Sequence, residues 1–488
     1  MRRDLLMLVA IVVVVLVTQA SLPVFDDALF FRRFATNLID HGVWAWNPAD
    51  GAVHGNTSQL WQVVVLGLTA IAREWSLMAG RVVLGACVVV AGWLLMRAYP
   101  RGRSAVLLGM ASPIALATML SGMETATTLA LGAALLAIPR GGAAFTVLLY
   151  LARPDTLLLS VPTLMFRRQW ASLVAAGVVL IGFLGLFQWG YGSALPLSFA
   201  VKTGLSDVYD AHFLALSAAA GRKHLLFFSV LTAPLAWAGF RSRLIIPAAL
   251  FVGFHAFGSI DVMGMHARFY APCLPWVVAA AAQRWTFRAS SGLGLWVIWA
   301  LFTAAAVHQG WLPGERGWSI GQVSLWTYAA YIVATGAMLW RGLGMGVVLM
   351  GAVLVNPSLP SESLHDDAGV ERLRDLVSSW KGLEQATDCL GTDLHVYHSE
   401  IGVPGYYFST VTDLGGLMNT ETHAGVSFDE MCLRDQPALL FLPHRNYRTL
   451  NKEVRTSTCL EGYRRVVKRS SSPLYVRHDL VKAYRCGP

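Results

Sequence analysis

Few residues before position 357 could do chemistry, and they come in a regular order. Asp26 and Asp27 stand side by side at the start of an apolar-periodic run. Glu124 lies in Ser121-Gly122-Met123-Glu124-Thr125, Arg153 and Asp155 flank Pro154, and Lys202 follows Phe199-Ala200-Val201. His266 and Arg268 precede Phe269-Tyr270, and Glu315 comes last. Two adjacent carboxylates raise the cost of ionising both, which lifts one pKa towards the range of a general base. A lone aspartate here would read as the N-cap of the helix that follows. Lys202 is one of two lysines before residue 357, so it is either a side chain snorkelling to the headgroup level or a point-charge contact to phosphate. Arg153 reads as the ion-pair partner of Asp155 or as a substrate cation. Arg268 reads as an interfacial anchor beside aromatics or in the same binding role. Together these residue types could remove a proton and hold an anion.

The elements that must position them belong to a membrane protein. Of 488 residues 55% are hydrophobic and 14% charged, and the mean hydropathy of +0.52 lies far from the globular average. The composition changes at Asn356-Pro357, with 23 Lys and Arg against 12 Asp and Glu before it and 15 against 17 after it. The net charge of +9 therefore sits on the first part, mostly as arginine in short loops, which is where membrane topology places it. That distribution does not point to nucleic acid. Disorder, collagen, coiled coil and a small disulfide scaffold are excluded by the same figures.

Helices are expected at 5–22, 77–97, 104–120, 124–138, 143–152, 156–166, 170–190, 224–240, 244–260, 270–284, 292–309, 322–340 and 343–356. Basic clusters at Arg2-Arg3, Arg97 to Arg103, Arg140, Arg167-Arg168, Arg241 to Arg243, Arg284 to Arg288 and Arg341 mark every second loop. The positive-inside rule then gives about thirteen crossings, with the N-terminus in the cytoplasm and the C-terminal domain outside. The first run could be a cleaved signal, with Thr18-Gln19-Ala20 as its site, but a retained helix is the preferred reading. Leu60 to Ala72 falls short of the ~20 residues of one crossing and reads as interfacial or re-entrant. The polar break Arg153-Pro154-Asp155 between two short apolar runs needs protein or a water-filled cavity to satisfy it. On this topology Asp26, Asp27, Glu124, Arg153, Asp155, Lys202, His266, Arg268 and Glu315 all fall on the outer side, a convergent set of ionisable groups at the membrane edge.

The division expected is a membrane module over 1–357, with outer loop 1 at 23–60, and a soluble α/β or α+β domain over 358–488. In the latter, helical periodicity over 366–380 precedes strand-like runs at Leu394–Tyr397, Ala438–Leu442, Arg464–Lys468 and Leu474–Arg477. Cys389, Cys432, Cys459 and Cys486 suggest two disulfides with three connectivities open, while Cys87 and Cys273 read as packing thiols. Phosphate loops and HExxH are absent. His395-x-x-His398 lacks further ligands at metal spacing. Trp44, Trp46 and Trp61 fit an aromatic belt or, less simply, a sugar-stacking surface.

Several blocks resemble the GT-C glycosyltransferases, above all the bacterial terminal β-1,2 arabinofuranosyltransferase family. In order they are Asp26-Asp27-Ala28 with Arg33-Phe34-Ala35-x-Asn37-Leu38, Trp46-Asn47-Pro48, Gly55-x-Thr57-Ser58-x-Leu60-Trp61, Ser121 to Thr125, Arg153-Pro154-Asp155, Leu195-Pro196 with Lys202-Thr203-Gly204, and Arg268-Phe269 with Pro272. In the tail Glu400-Ile401-Gly402, Gly405-Tyr406-Tyr407 and Asp413 to Leu417 continue the likeness. The chain departs from the pattern with His54 in place of an acid, Asn56 in place of an aromatic and Gln59 in place of proline.

The resemblance implies a GT-C-like helical membrane enzyme of the bacterial inner membrane, with a small C-terminal periplasmic α/β domain, serving cell-envelope biogenesis. It would move a sugar, arabinofuranose in the nearest relatives, from a polyprenyl-phosphate donor to the hydroxyl of a glycan or glycoprotein acceptor. Asp27, with Asp26 as the alternative, would be the base. Lys202, Arg153 and Arg268 would hold the donor phosphate. Glu124, His54, Asn47, Thr57, His266 and Trp61 would line the sugar and acceptor. A divalent cation on Asp27 and Glu124 is compatible with the family. A lipid-linked-substrate transporter or flippase is the competing class, expected to show two related halves; a pilin-like acceptor is the other alternative.

Overall fold

The first apolar run forms α1, Arg2–Thr18, and buries Leu8, Ile11, Val12 and Val15 at the spacing of one helix face. That face lies on α4, Ser76–Ala98, where Gly85 and Gly92 leave no room for a Cβ beside Val12, Leu16 and Leu8. The run is thus packed into the helical module. The computed structural model describes residues 1–18, 25–202, 211–257, 267–284, 370–371, 374–375, 380–444, 447–467, 470 and 472–486. Three expected helices, at 292–309, 322–340 and 343–356, lie outside the described residues, as does most of 366–380.

Outer loop 1 opens with α2, Asp26–His41, which ends on left-handed Gly42, whose N–H reaches the carbonyls of Asn37 and Leu38. Ser58 then caps α3, Gln59–Ala72, by accepting the Trp61 N–H. Through a 3₁₀ turn at Arg73–Trp75, α3 continues into α4 as a forty-residue helical stretch. On α3, Trp61, Gln62, Val65 and Thr69 are buried.

The single helix expected over 104–120 is two, α5 Arg103–Met110 and α6 Pro113–Leu120, set at 45°. Proline cannot donate within a helix but suits its first turn, and Ser112 caps the new start through the Ala115 N–H. Next, α7 (Thr125–Ala137) and α8 (Gly142–Ala152) fold back on each other at 117°. Arg167 donates to the carbonyls of Leu135 and Leu136 at the end of α7. The remaining helices are α9 Leu157–Phe166, α10 Trp170–Tyr191, α11 Leu197–Lys202, α12 Ala211–Gly239, α13 Ile245–Phe257 and α14 Leu274–Arg284. Trp276 on α14 donates to Thr163 on α9 at 2.7 Å. Among the described residues two helical stretches, Gln59–Ala98 and α10, are long and apolar enough to cross a membrane, or four if each bent pair is one span.

The tail builds a five-stranded mixed sheet in the order β2-β1-β3-β5-β4. Its strands are β1 His395–His398, β2 Thr410–Asp413, β3 Leu439–Phe441, β4 Tyr463–Val467 and β5 Leu474–Arg477. β1 pairs in parallel with β2 and β3, while β5 runs antiparallel to β3 and β4. Four of the five stand where alternation placed them; β2 was not expected. Two disulfides are present, Cys389–Cys486 and Cys432–Cys459, and Cys87 and Cys273 are free thiols.

Candidate active site

The two aspartates at the head of α2 go separate ways, because successive helical residues point about 100° apart. Asp26 is buried and accepts the N–H of Val403 at 2.7 Å and of Gly402 at 3.2 Å. Burial, followed by the charges of Asp27 and Glu400, pushes its carboxyl well above the ordinary range. Asp27 turns to the other side and meets Arg268 Nη2 at 2.8 Å.

Arg268 stands between two chain features. Before it, Ala267 takes φ +59°, a left-handed conformation costing an alanine roughly 1–2 kcal/mol. After it, Phe269 carries both guanidinium groups of the site, Arg268 at 5.1 Å and Arg153 at 5.4 Å from its ring centroid. Phe25 lies 5.2 Å from Arg268 as well, so two rings hold that cation by its faces. One edge goes to Asp27, and Nη1 is buried without a partner.

Arg153 comes from the polar break. Its extended backbone precedes Pro154, as the residue before proline prefers. Its guanidinium clasps Asp155 at 2.6 and 3.2 Å, and Nη1 lies 3.8 Å from Glu124. Asp155 also meets His255 Nε2, from α13, at 2.8 Å. The protein itself thus satisfies the polar groups of the break. Glu124 caps the start of α7, where the helix dipole favours an anion, and its Oε2 is buried with no partner. The turn before Glu124 is tied to loop 1, since the Phe25 N–H donates to Ser121 O at 3.1 Å. Residues from five separated parts of the chain therefore meet around Phe269: Asp27, Glu124, Arg153 with Asp155, His255 and Arg268.

Asn47 is buried and pairs with Val411, accepting its N–H at 2.9 Å and donating to its carbonyl at 3.0 Å. Trp61 is 1% exposed and donates to Gly122 O at 3.0 Å, so it braces the turn before Glu124 instead of offering a face to a sugar. His54 is buried against Tyr191, stacked at 5.0 Å, and Phe187 at 4.8 Å. Its Nδ1 lies 3.1 Å from Ser193 O, and Nε2 has no partner. Burial lowers the His54 pKa, so its neutral form, donating from Nδ1 to that carbonyl, leaves Nε2 an acceptor. Thr57 is half-buried in the bend before the Ser58 cap. Lys202 closes α11; its side chain and the whole of His266 lie outside the described residues.

A divalent cation finds a poor fit. Asp27 and Glu124 each face an arginine, and among the described residues no group of three His, Cys, Asp or Glu could hold a metal. In the sheet His395 bonds Thr412 Oγ1 at 2.8 Å, and His398 accepts the Glu400 N–H at 2.8 Å.

Sequence reasoning missed two residues. His255 sits alone in an apolar helix, and an ionisable group there was the available signal. Arg33 stood in a motif block with no role assigned to it. It is buried and donates to the carbonyls of Trp46, Gly405, Phe408 and Ser409 and to Asn47 Oδ1. Burial lowers its pKa to about 10, still charged at neutral pH.

No protein-family model matches the chain, and no curated protein does. Among solved structures it is similar to ArnT from Cupriavidus metallidurans. With the crystal structure of ArnT bound to undecaprenyl phosphate the TM-score is 0.61 at 13% identity, covering 99% of this chain and 98% of that one. With the apo state it is 0.61 at 14%, covering 98% and 97%. At such identity the likeness is one of fold, and it runs the length of both chains: this protein has the ArnT fold.

Proposed function

We propose that this protein is a GT-C-type glycosyltransferase of the bacterial inner membrane, taking a sugar from a polyprenyl-phosphate donor on the periplasmic side. The observation that carries the reading is the cluster around Phe269, where one carboxylate able to act as base and two arginines converge from separate parts of the chain. The ordered motif blocks support it, as does the shared fold with a protein crystallised with undecaprenyl phosphate.

In this reading the polyprenyl tail stays in lipid while its phosphate meets Arg268 through the unpartnered Nη1 and Arg153 beside it, with Lys202 as a third cation. The acceptor is a glycan or glycoprotein hydroxyl. Asp27 takes its proton as the oxygen attacks the anomeric carbon, and the bond to the phosphate oxygen breaks. The leaving phosphate is a weak base, so the arginines stabilise it without a general acid. Glu124 Oε2 is an open acceptor for a sugar hydroxyl, and His54 Nε2 for a hydroxyl of the acceptor. Asp26, occupied by two backbone N–H groups, suits the base role less than Asp27. Arabinofuranose is the first sugar to try, on the motif resemblance.

The test is mass spectrometry of lipid retained by the purified protein, beside a transfer assay with polyprenyl-phosphate sugars in nanodiscs. Retained polyprenyl phosphate that an Arg268→Ala variant loses, together with sugar transfer, is the expected result. Bulk phospholipid alone in both, and no transfer, would move a transporter ahead of catalysis.

A further inference from the structure

Asp26 and Arg33 are seven residues apart on α2, two helical turns, and so share one face. That face meets the helix Gly402–Tyr407 of the tail. Asp26 accepts the N–H groups of Gly402 and Val403 at its start, and Arg33 donates to the carbonyls of Gly405 and Phe408 at its end. Asp26 oxygens take up N–H groups that the helix start leaves unpaired, and Arg33 takes up carbonyls at its end. The lengths agree as well, since seven residues of α2 and the six of the tail helix each rise about 10 Å. Contact at the first end is close enough that a Cβ on Gly402 would collide with the Asp26 carboxylate and carbonyl.

We infer that Asp26 and Arg33 are positioning residues: by gripping both ends of the Gly402–Tyr407 helix they fix the rotation of α2, and with it the aim of Asp27 at the reacting hydroxyl. The inference rests on the proposed function, in which Asp27 is the base. The sheet-bearing tail then contributes to catalysis without placing a group of its own in the site. A base needs placement to within about an ångström, and a misplacement of that size costs about a hundredfold in rate. Phosphate binding depends on Arg268 and Arg153, and neither bonds to Asp26 or Arg33.

The experiment compares wild type with Asp26→Ala, Asp26→Asn and Gly402→Ala, all full length in nanodiscs. Three quantities are read: hydrogen exchange over residues 25–41, undecaprenyl phosphate binding by native mass spectrometry, and the kcat and KM of transfer. Asp26→Ala and Gly402→Ala should lose exchange protection in α2 and fall about 10- to 100-fold in kcat, with lipid binding within about twofold of wild type. Asp26→Asn keeps an acceptor for the Val403 N–H and should recover part of the rate. Unchanged exchange in Asp26→Ala overturns the grip whatever the chemistry. Loosened α2 with an unchanged kcat, or a rate that falls only in step with lipid binding, overturns the positioning role. A wild type that transfers no sugar refutes the proposed function and this role with it, while the exchange result still reports the grip.

Discussion

Asp27 and Arg268, 241 positions apart, meet at 2.8 Å through a single guanidinium edge. The carboxylate proposed as base and a cation proposed for the donor thus hold each other in place. Arg268 keeps a second nitrogen buried and unpartnered, so an arriving phosphate can bond to it while the pair persists.

Asp27→Asn keeps the shape of that contact and removes the proton acceptor. Transfer should drop about 10²- to 10⁴-fold with little change in melting temperature. Full activity in the folded variant would remove Asp27 from the role of base.

Arg153→Ala strands Asp155 in the membrane module with His255 as its remaining close partner. Breaking a buried pair from one side costs about 3–5 kcal/mol, so the variant should melt well below wild type. The double variant Arg153→Met, Asp155→Leu should regain much of that loss while losing lipid-phosphate binding. Thermal unfolding in nanodiscs decides it; a single variant as stable as wild type would mean the pair is not buried.

Arg33→Lys retains the charge but cannot serve five acceptors with three N–H groups. Each acceptor left bare in a buried site costs about 1–3 kcal/mol. Exchange should rise across 402–411 more than across the far strands β4 and β5, as hydrogen exchange mass spectrometry would show.

The disulfides span 97 and 27 residues. On chain entropy alone the longer loop is worth about 4.7 kcal/mol and the shorter about 3.6. Cys389→Ser should therefore lower the unfolding midpoint of the tail more than Cys459→Ser. In the native protein thiol labelling should reach none of the four tail cysteines.

Asp413 is fully buried, and burial raises its pKa to about 6 although backbone N–H groups of Met418 and Gly415 bond to it. The folded state thus holds this proton more tightly than the unfolded chain, whose ordinary value is 3.8. The site's contribution to stability is greatest below that ordinary value and declines as pH rises through about 6, by at most about 1.4 kcal/mol per pH unit. Melting between pH 4 and 7 should show this slope in wild type and a flatter one in Asp413→Asn.

What the sequence made legible follows from which forces are local. Hydropathy and alternation are local, so most described helices and strands β1, β3, β4 and β5 were readable. The strand β2 was not, because Val411 stands alone between threonines and its pairing partner β1 comes from elsewhere in the chain. The break at Ser112-Pro113 was present as a cap and a proline, but the apolar run masked it. Ion pairing across 241 positions is not local: the chain displayed Asp27, Glu124, Arg153 and Arg268, yet only the fold separates Asp26 from Asp27. Arg33 was hidden because a buried arginine and a solvated one look alike on a helix whose covering comes from residues 402–411.

The amide of Asn47 takes both backbone groups of Val411 and so occupies part of the open edge of the sheet at β2. Loop 1 leaves the ribosome some 360 residues before the strand it pairs with. Without that contact β2 would offer an open edge to other copies of the chain, a route to aggregation that Asn47 closes.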